Sequence, residues 1–250
     1  MTNTKQPDYT RTLQQIMEMY IIPDIERRKS IGEIPGDKKY ELHQAQVLFS
    51  SDGSKIVRLN SEVKILAKAK INKSINKGGT LYERDVDKIV SLELLPEEKD
   101  FGHFTFIKFK GAWVIAFSFI YDVSKATKLF EKGMEFVQTA KFCLRNNKWG
   151  AFSANLFYAL ENLVRARLYL FPNQEIRKSC KHGTLAGIVN RYYKNSSVIS
   201  LNQKNTYNFL HRNIDKSRYD TEYTLTKSIA NSLLKDCSQL ITDIKQYINL

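Results

Sequence analysis

Two hydrophobic rhythms divide this chain. From Thr10 to Ser30 the apolar positions are Leu13, Ile16, Met17, Tyr20 and Ile21, the spacing of one helix face, with Pro23 placed to end or kink it. After Pro35 and Gly36 the period shortens to two. Tyr40 to Phe49 reads as a strand, Asp52-Gly53 as a hairpin turn, and Lys55 to Leu59 as the returning strand. Val63, Ile65, Ala67, Ala69 and Ile71 then alternate with Lys64, Lys68 and Lys70, which predicts a strand with lysines on its solvent face. Ile89 to Leu95 is a further strand. Phe104 and Phe106, a turn at Lys110-Gly111, and Trp113 to Tyr121 form a second hairpin. Residues 1–121 are thus expected to form an α+β domain, a helix on a mostly antiparallel sheet of about five strands.

From Val123 the period becomes 3.6. Ala126, Leu129, Phe130, Val137, Ala140 and Leu144 mark one long helix, broken at Asn146-Asn147. Trp149 to Leu170 makes a second, ended by Phe171-Pro172-Asn173. Gly183 to Tyr193, Leu201 to about Ile214, and Thr226 to Asn249 complete an up-and-down helical bundle over residues 122–250.

Composition removes several classes of function. No apolar run approaches the ~20 residues of a membrane span, and the first ten residues, MTNTKQPDYT, carry no apolar signal core. The three cysteines, Cys143, Cys180 and Cys237, lie far apart without CxxC spacing, so reduced thiols and a cytoplasmic location are expected. Cys143 and Cys237 fall on or beside apolar stripes, as small core residues do. His43, His103, His182 and His211 form no HxxxH or HExxH pattern, and Gly78-Gly79 has no phosphate-loop spacing. Neither a metal nor a cofactor is expected.

Charge points the other way. The chain carries 39 Lys and Arg against 26 Asp and Glu, a net of +13, of which +10 lies in residues 121–250. A balance this basic suits an anionic partner, nucleic acid or nucleotide above all, although solubility alone also accounts for it. Between Lys141 and Arg218 there are 14 basic residues and only three acidic ones, Glu161, Glu175 and Asp215. Trp149, Tyr158, Tyr169, Tyr192, Tyr193, Tyr207 and Tyr219 are interleaved with them, as a surface for phosphates and bases requires. In the first half, Lys64–Lys77 holds five lysines and no acid. It reads either as a phosphate track or as an edge strand that lysine guards against aggregation.

Three stretches carry a family resemblance: KATKLFEKGMEFVQTAKFCLRNNKWGAFSANLFYALENLVRARLYL, SCKHGTLAGIVNRYY and FLHRNIDKSRYDTEYTLT. In this order, across residues 123–250, they resemble the HEPN superfamily of helical domains. The resemblance implies a homodimer and, in members that cut RNA, a metal-independent site built on an Arg-x(4–6)-His motif before the last helix. Arg212-Asn213 matches the start of that motif. The positions where histidine is expected hold Ser217, Arg218 and Tyr219. A literal Arg-x(4)-His occurs at Arg177 to His182, but before the third helix, where His182 equally reads as a turn residue opening that helix.

The expectations are accordingly graded by residue. Arg212, Asn213, Lys216 and Arg218 are the candidates for binding RNA or nucleotide, because guanidinium and ammonium groups hold phosphate oxygens. Arg212, His211 and Tyr219 are the candidates for catalysis. Arg212 also reads as an ion-pair partner of Asp215 or Asp220, and Tyr219 as a ring packing its turn against the bundle. The function expected is a HEPN-like RNA- or nucleotide-binding protein, which the resemblance associates with anti-phage defence or a toxin–antitoxin-type stress system. Two alternatives stand beside it, a metal-independent endoribonuclease with a non-standard site and a non-catalytic subunit whose basic face docks a protein partner.

Overall fold

The computed structural model describes residues 9–36, 40–74, 76, 78–172, 174–178 and 182–248, with the side chains of residues 9, 10, 174, 178 and 182 left aside. The polar N-terminal residues 1–8, Lys77, Cys180 and the His182 imidazole therefore lie outside the described residues. The chain divides into two compact units, Met1–Ser118 and Phe119–Leu250.

The first unit begins with α1 (Tyr9–Ile16) and α2 (Ile22–Ser30), joined by one π-helical turn at Met17–Ile21. Pro23 sits in the first turn of α2, where its missing N–H is no loss. The helical run continues through the widened turn ahead of it, so Pro23 does not end the pattern. Four strands, β1 (Gln44–Phe49), β2 (Lys55–Leu59), β5 (Gly102–Phe109) and β6 (Ala112–Ser118), pair antiparallel in the order β2-β1-β5-β6. Among the described residues the expected single sheet is in fact two. β3 (Leu66–Ile71) and β4 (Val86–Glu93) form a separate two-stranded ribbon, and all six β3 residues are exposed.

Register explains the two faces of the larger sheet. Val47 stands opposite both Val57 and Phe104, and Ala45 opposite Leu59 and Phe106. These side chains form a core with Ile21 and Ile34, against which Leu13, Ile16 and Tyr20 pack. The reverse face holds a polar chain. His103 Nδ1 meets Thr105 Oγ1 at 2.9 Å, and Gln46 Nε2 donates to Thr105 Oγ1 at 3.3 Å. Arg58 donates to Gln46 Oε1 at 2.9 Å and grips the Glu98 carboxylate with two bonds. At the β5–β6 turn Lys110 and Gly111 both have positive φ, +49° and +81°, as a tight hairpin demands.

The second unit is helical: α3 (Val123–Arg145), α4 (Trp149–Tyr169), α5 (Gln174–Lys178), α6 (His182–Asn195), α7 (Leu201–Tyr219) and α8 (Lys227–Ile248). α4 is the central helix. Phe152, Leu156, Leu160, Leu163 and Val164 are fully buried among side chains of the other helices. Each such side chain contributes roughly 1.5–3 kcal/mol through burial. Gly133 of α3 permits close contact with α4, since a Cβ there would lie 2.9 Å from Leu163 Cγ. Cys143 and Cys237 are buried and unpaired, and burial pushes the Cys237 thiol up to about 12. No helix among the described residues is long and apolar enough to cross a membrane.

Candidate functional site

α7 carries most of the residues singled out by sequence, and its roll about its own axis decides what each can do. Its start is fixed by a capping box: Ser200 Oγ accepts from Gln203 N at 3.2 Å, and Gln203 Oε1 accepts from Ser200 N at 2.9 Å. Gln203 and Thr206 then donate to Asp243 and Asp236 of α8, at 2.7 and 2.6 Å. With Tyr207 and Leu210 buried, the face turned toward α4 is set.

The last turns of α7 follow from that roll. His211, Ile214, Asp215 and Arg218 fall on one stripe and, with Phe157 and Tyr158 of α4, line a pocket of about 210 Å³. Ring packing builds its wall. Phe157 and His211 have centroids 5.9 Å apart, Phe157 and Tyr158 are also 5.9 Å apart, and Phe136 backs Tyr158 at 5.6 Å. Burial pushes the Tyr207 phenol above its ordinary range, with Glu161 reinforcing the shift and Arg165 opposing it. The phenol oxygen itself has no hydrogen-bond partner among the described residues.

The other candidates lie off this stripe. Arg212 is exposed, and its Nε donates to the Asn208 carbonyl at 3.2 Å. Among the described residues it forms no ion pair with Asp215 or Asp220, so that reading of Arg212 is not realised. Asp220 instead accepts from Glu222 N at 2.9 Å within its own turn. Lys216 is exposed one helical turn beyond Arg212. The Asn213 amide donates to the Phe209 carbonyl at 2.8 Å and so is engaged on its own helix. Tyr219 does not pack the turn against the bundle. It is 72% exposed, with the Arg218 guanidinium 5.1 Å from its ring centroid.

Ser217, where the motif would first place histidine, is buried, and its Oγ donates to the Ile214 carbonyl at 2.7 Å. Gly150 lies against this point, because a Cβ there would come within 2.5 Å of the Ser217 carbonyl oxygen. The following turn is tied down as well, with Tyr223 Oη 3.0 Å from Ser153 Oγ of α4.

The literal motif at Arg177 has a structural explanation. The guanidinium pairs with Asp122, its Nη2 2.6 Å and its Nε 2.8 Å from Oδ2, and donates to the Tyr169 carbonyl at 3.1 Å. It fastens α5 to the N-terminus of α3 and the C-terminus of α4. A second pocket, of about 310 Å³, is lined by Glu175, Arg191, Tyr192, Asn195 and Ser196, with Arg191 paired to Glu175 at 2.5 Å. No group of three or more His, Cys, Asp or Glu among the described residues is arranged to hold a metal ion. Phe157 is the pocket residue that sequence reasoning passed over. Its signal was adjacency to Tyr158 on a helix whose apolar positions exceed one stripe.

No curated protein matches the chain at a significant level. Residues 126–247, from the first turn of α3 to the last turn of α8, match the HEPN domain family, and the C-terminal half of the chain is a HEPN domain.

Proposed function

We propose that the HEPN half binds RNA or a nucleotide at the end of α7, as a homodimer of the kind the family resemblance implies. One observation carries the reading: Arg212, Lys216 and Arg218 are exposed on the last turns of α7 and without carboxylate partners among the described residues, and Arg218 lines a pocket with Phe157, Tyr158 and His211. Cations outside ion pairs suit phosphates, and rings lining a pocket suit bases. A role in defence or in a toxin–antitoxin-type stress system is consistent with the family and adds no chemistry to this site.

Binding of a single-stranded RNA oligonucleotide across a salt series tests the reading. Wild type should weaken steeply with salt, and the double variant Arg212→Gln/Lys216→Gln should show a slope shallower by about 1.4, two phosphate contacts on a single strand. Unchanged affinity and slope would reject it.

A cleavage reading is favoured by a specific observation of its own. His211, Asp215 and Arg218 line the same pocket, which places an imidazole for proton transfer near a guanidinium for a phosphodiester. Metal-free RNA cleavage lost in both His211→Ala and Arg218→Ala would support it, and intact RNA after incubation with wild type would end it.

A further inference from the structure

The β3–β4 ribbon places two cations where sheet chemistry disfavours them. Lys70 and Lys88 stand directly opposite one another across the strands. Like charges at opposed positions repel and destabilise a pair of strands. Their neighbours behave differently: Lys68 is 2.6 Å from Glu93, and Lys73 is 2.9 Å from Asp85. Lys70 and Lys88 are both exposed and have no carboxylate partner among the described residues.

A ring lies further along the same ribbon. Tyr82, just before β4, is 54% exposed, and the Arg84 guanidinium lies 5.1 Å from its ring centroid. The outer edge of β3 has no strand partner among the described residues. An unpaired edge invites a second strand, but a second copy added there would align Lys68 and Lys70 with the same lysines of its mate. That arrangement repels, and edge lysines are a known guard against it. The charge is complementary to a polyanion.

We propose that the β3–β4 ribbon is a binding surface for single-stranded nucleic acid, with backbone phosphates held by Lys70 and Lys88 and a base stacked on Tyr82. Phosphate contacts at the lysine pair supply attraction without sequence preference, and every base has a face that can stack on the ring. The bound strand also relieves the repulsion between the two ammonium groups, so binding and folding of the ribbon reinforce each other. This surface belongs to the first unit and does not rest on the α7 reading.

The test uses the full chain and a fluorescent single-stranded RNA 20-mer, with affinity measured at several salt concentrations. Lys70→Gln/Lys88→Gln should bind more weakly with a salt slope shallower by about 1.4, while Lys70→Arg/Lys88→Arg should match wild type. Tyr82→Ala should bind more weakly with the slope unchanged, the mark of lost stacking rather than lost charge. Thermal melting checks folding, and the Gln variant should melt no lower than wild type. Wild-type affinity and slope in the Gln variant would overturn the proposal, and so would polyglutamate displacing the RNA at equal charge, which would point to an acidic protein instead. A loss confined to Arg212→Gln/Lys216→Gln would overturn the ribbon and leave the α7 site standing. Failure of wild type to bind the RNA at low salt would overturn both.

Discussion

The His211 imidazole lies nearly parallel to the Tyr207 ring, with 17° between the ring planes and centroids 6.0 Å apart. The pair is one turn apart on α7, with Tyr207 sealed in the interior and His211 at the pocket. The ring of Tyr207 supports the wall, while its hydroxyl has no partner among the described residues. Tyr207→Phe keeps the ring and removes the unsatisfied group, so it should be neutral or stabilising by about 1 kcal/mol. Chemical denaturation measures this directly. A loss of similar size would mean that the hydroxyl is bonded after all.

Gly150→Ala should be costly for its size. The added methyl meets the Ser217 backbone oxygen at 2.5 Å, and a backbone atom cannot swing aside as a long side chain can. A destabilisation of about 1–3 kcal/mol is expected. RNA affinity should fall with it, since the end of α7 must move away from α4. An unchanged melting temperature would show that the two helices are not in contact there.

Removing Arg177 separates structure from function. Arg177→Ala leaves Asp122 and the Tyr169 carbonyl without their shared donor. Destabilisation of about 1–3 kcal/mol should follow, because the pair is largely withdrawn from water. Once refolded below its melting point, the variant should bind RNA with the salt slope of wild type. A change in that slope would give the Arg177–His182 spacing the functional weight denied to it here.

How far these residues could be read from sequence varies for physical reasons. The stripes of α3 and α8 were legible because each buries one face at a regular period, as at Val137, Ala140, Leu233, Cys237 and Leu240. The Lys110-Gly111 hairpin was legible because positive φ selects glycine at Gly111. The separation of β3 and β4 from the main sheet was not, because alternation assigns side chains to faces without saying which strands pair. Ala67, Ala69 and Ile71 were expected to face inward, and all are exposed. α5 was missed, as five residues hold too little periodicity to register, and α7 runs to Tyr219 rather than Ile214 because its last turn is buried at Ser217. At the site, the type of each cation was legible but its direction was not. The roll of α7 is fixed by Gln203 and Thr206 reaching Asp243 and Asp236, far apart in sequence.

His103 supplies a pH dependence in the first unit. It is buried beside Thr105, and burial lowers its pKa from an ordinary 6.5 to about 4. The unfolded chain therefore holds the extra proton between these values, and the folded chain does not. Stability should fall as pH drops from about 6.5 toward 4, by up to about 3 kcal/mol when complete. Denaturation curves for His103→Gln should lack that component while keeping the rest of the acid sensitivity. Identical pH profiles for the two proteins would refute it.

The tie between Tyr223 and Ser153, and the fit of Gly150 against Ser217, lock both ends of the Arg218–Tyr219 segment to α4. Its ordering entropy is spent during folding, before any ligand arrives. Association there should therefore run at a rate set by collision and charge steering rather than by a preceding rearrangement, and discrimination among ligands should reside in how long each stays.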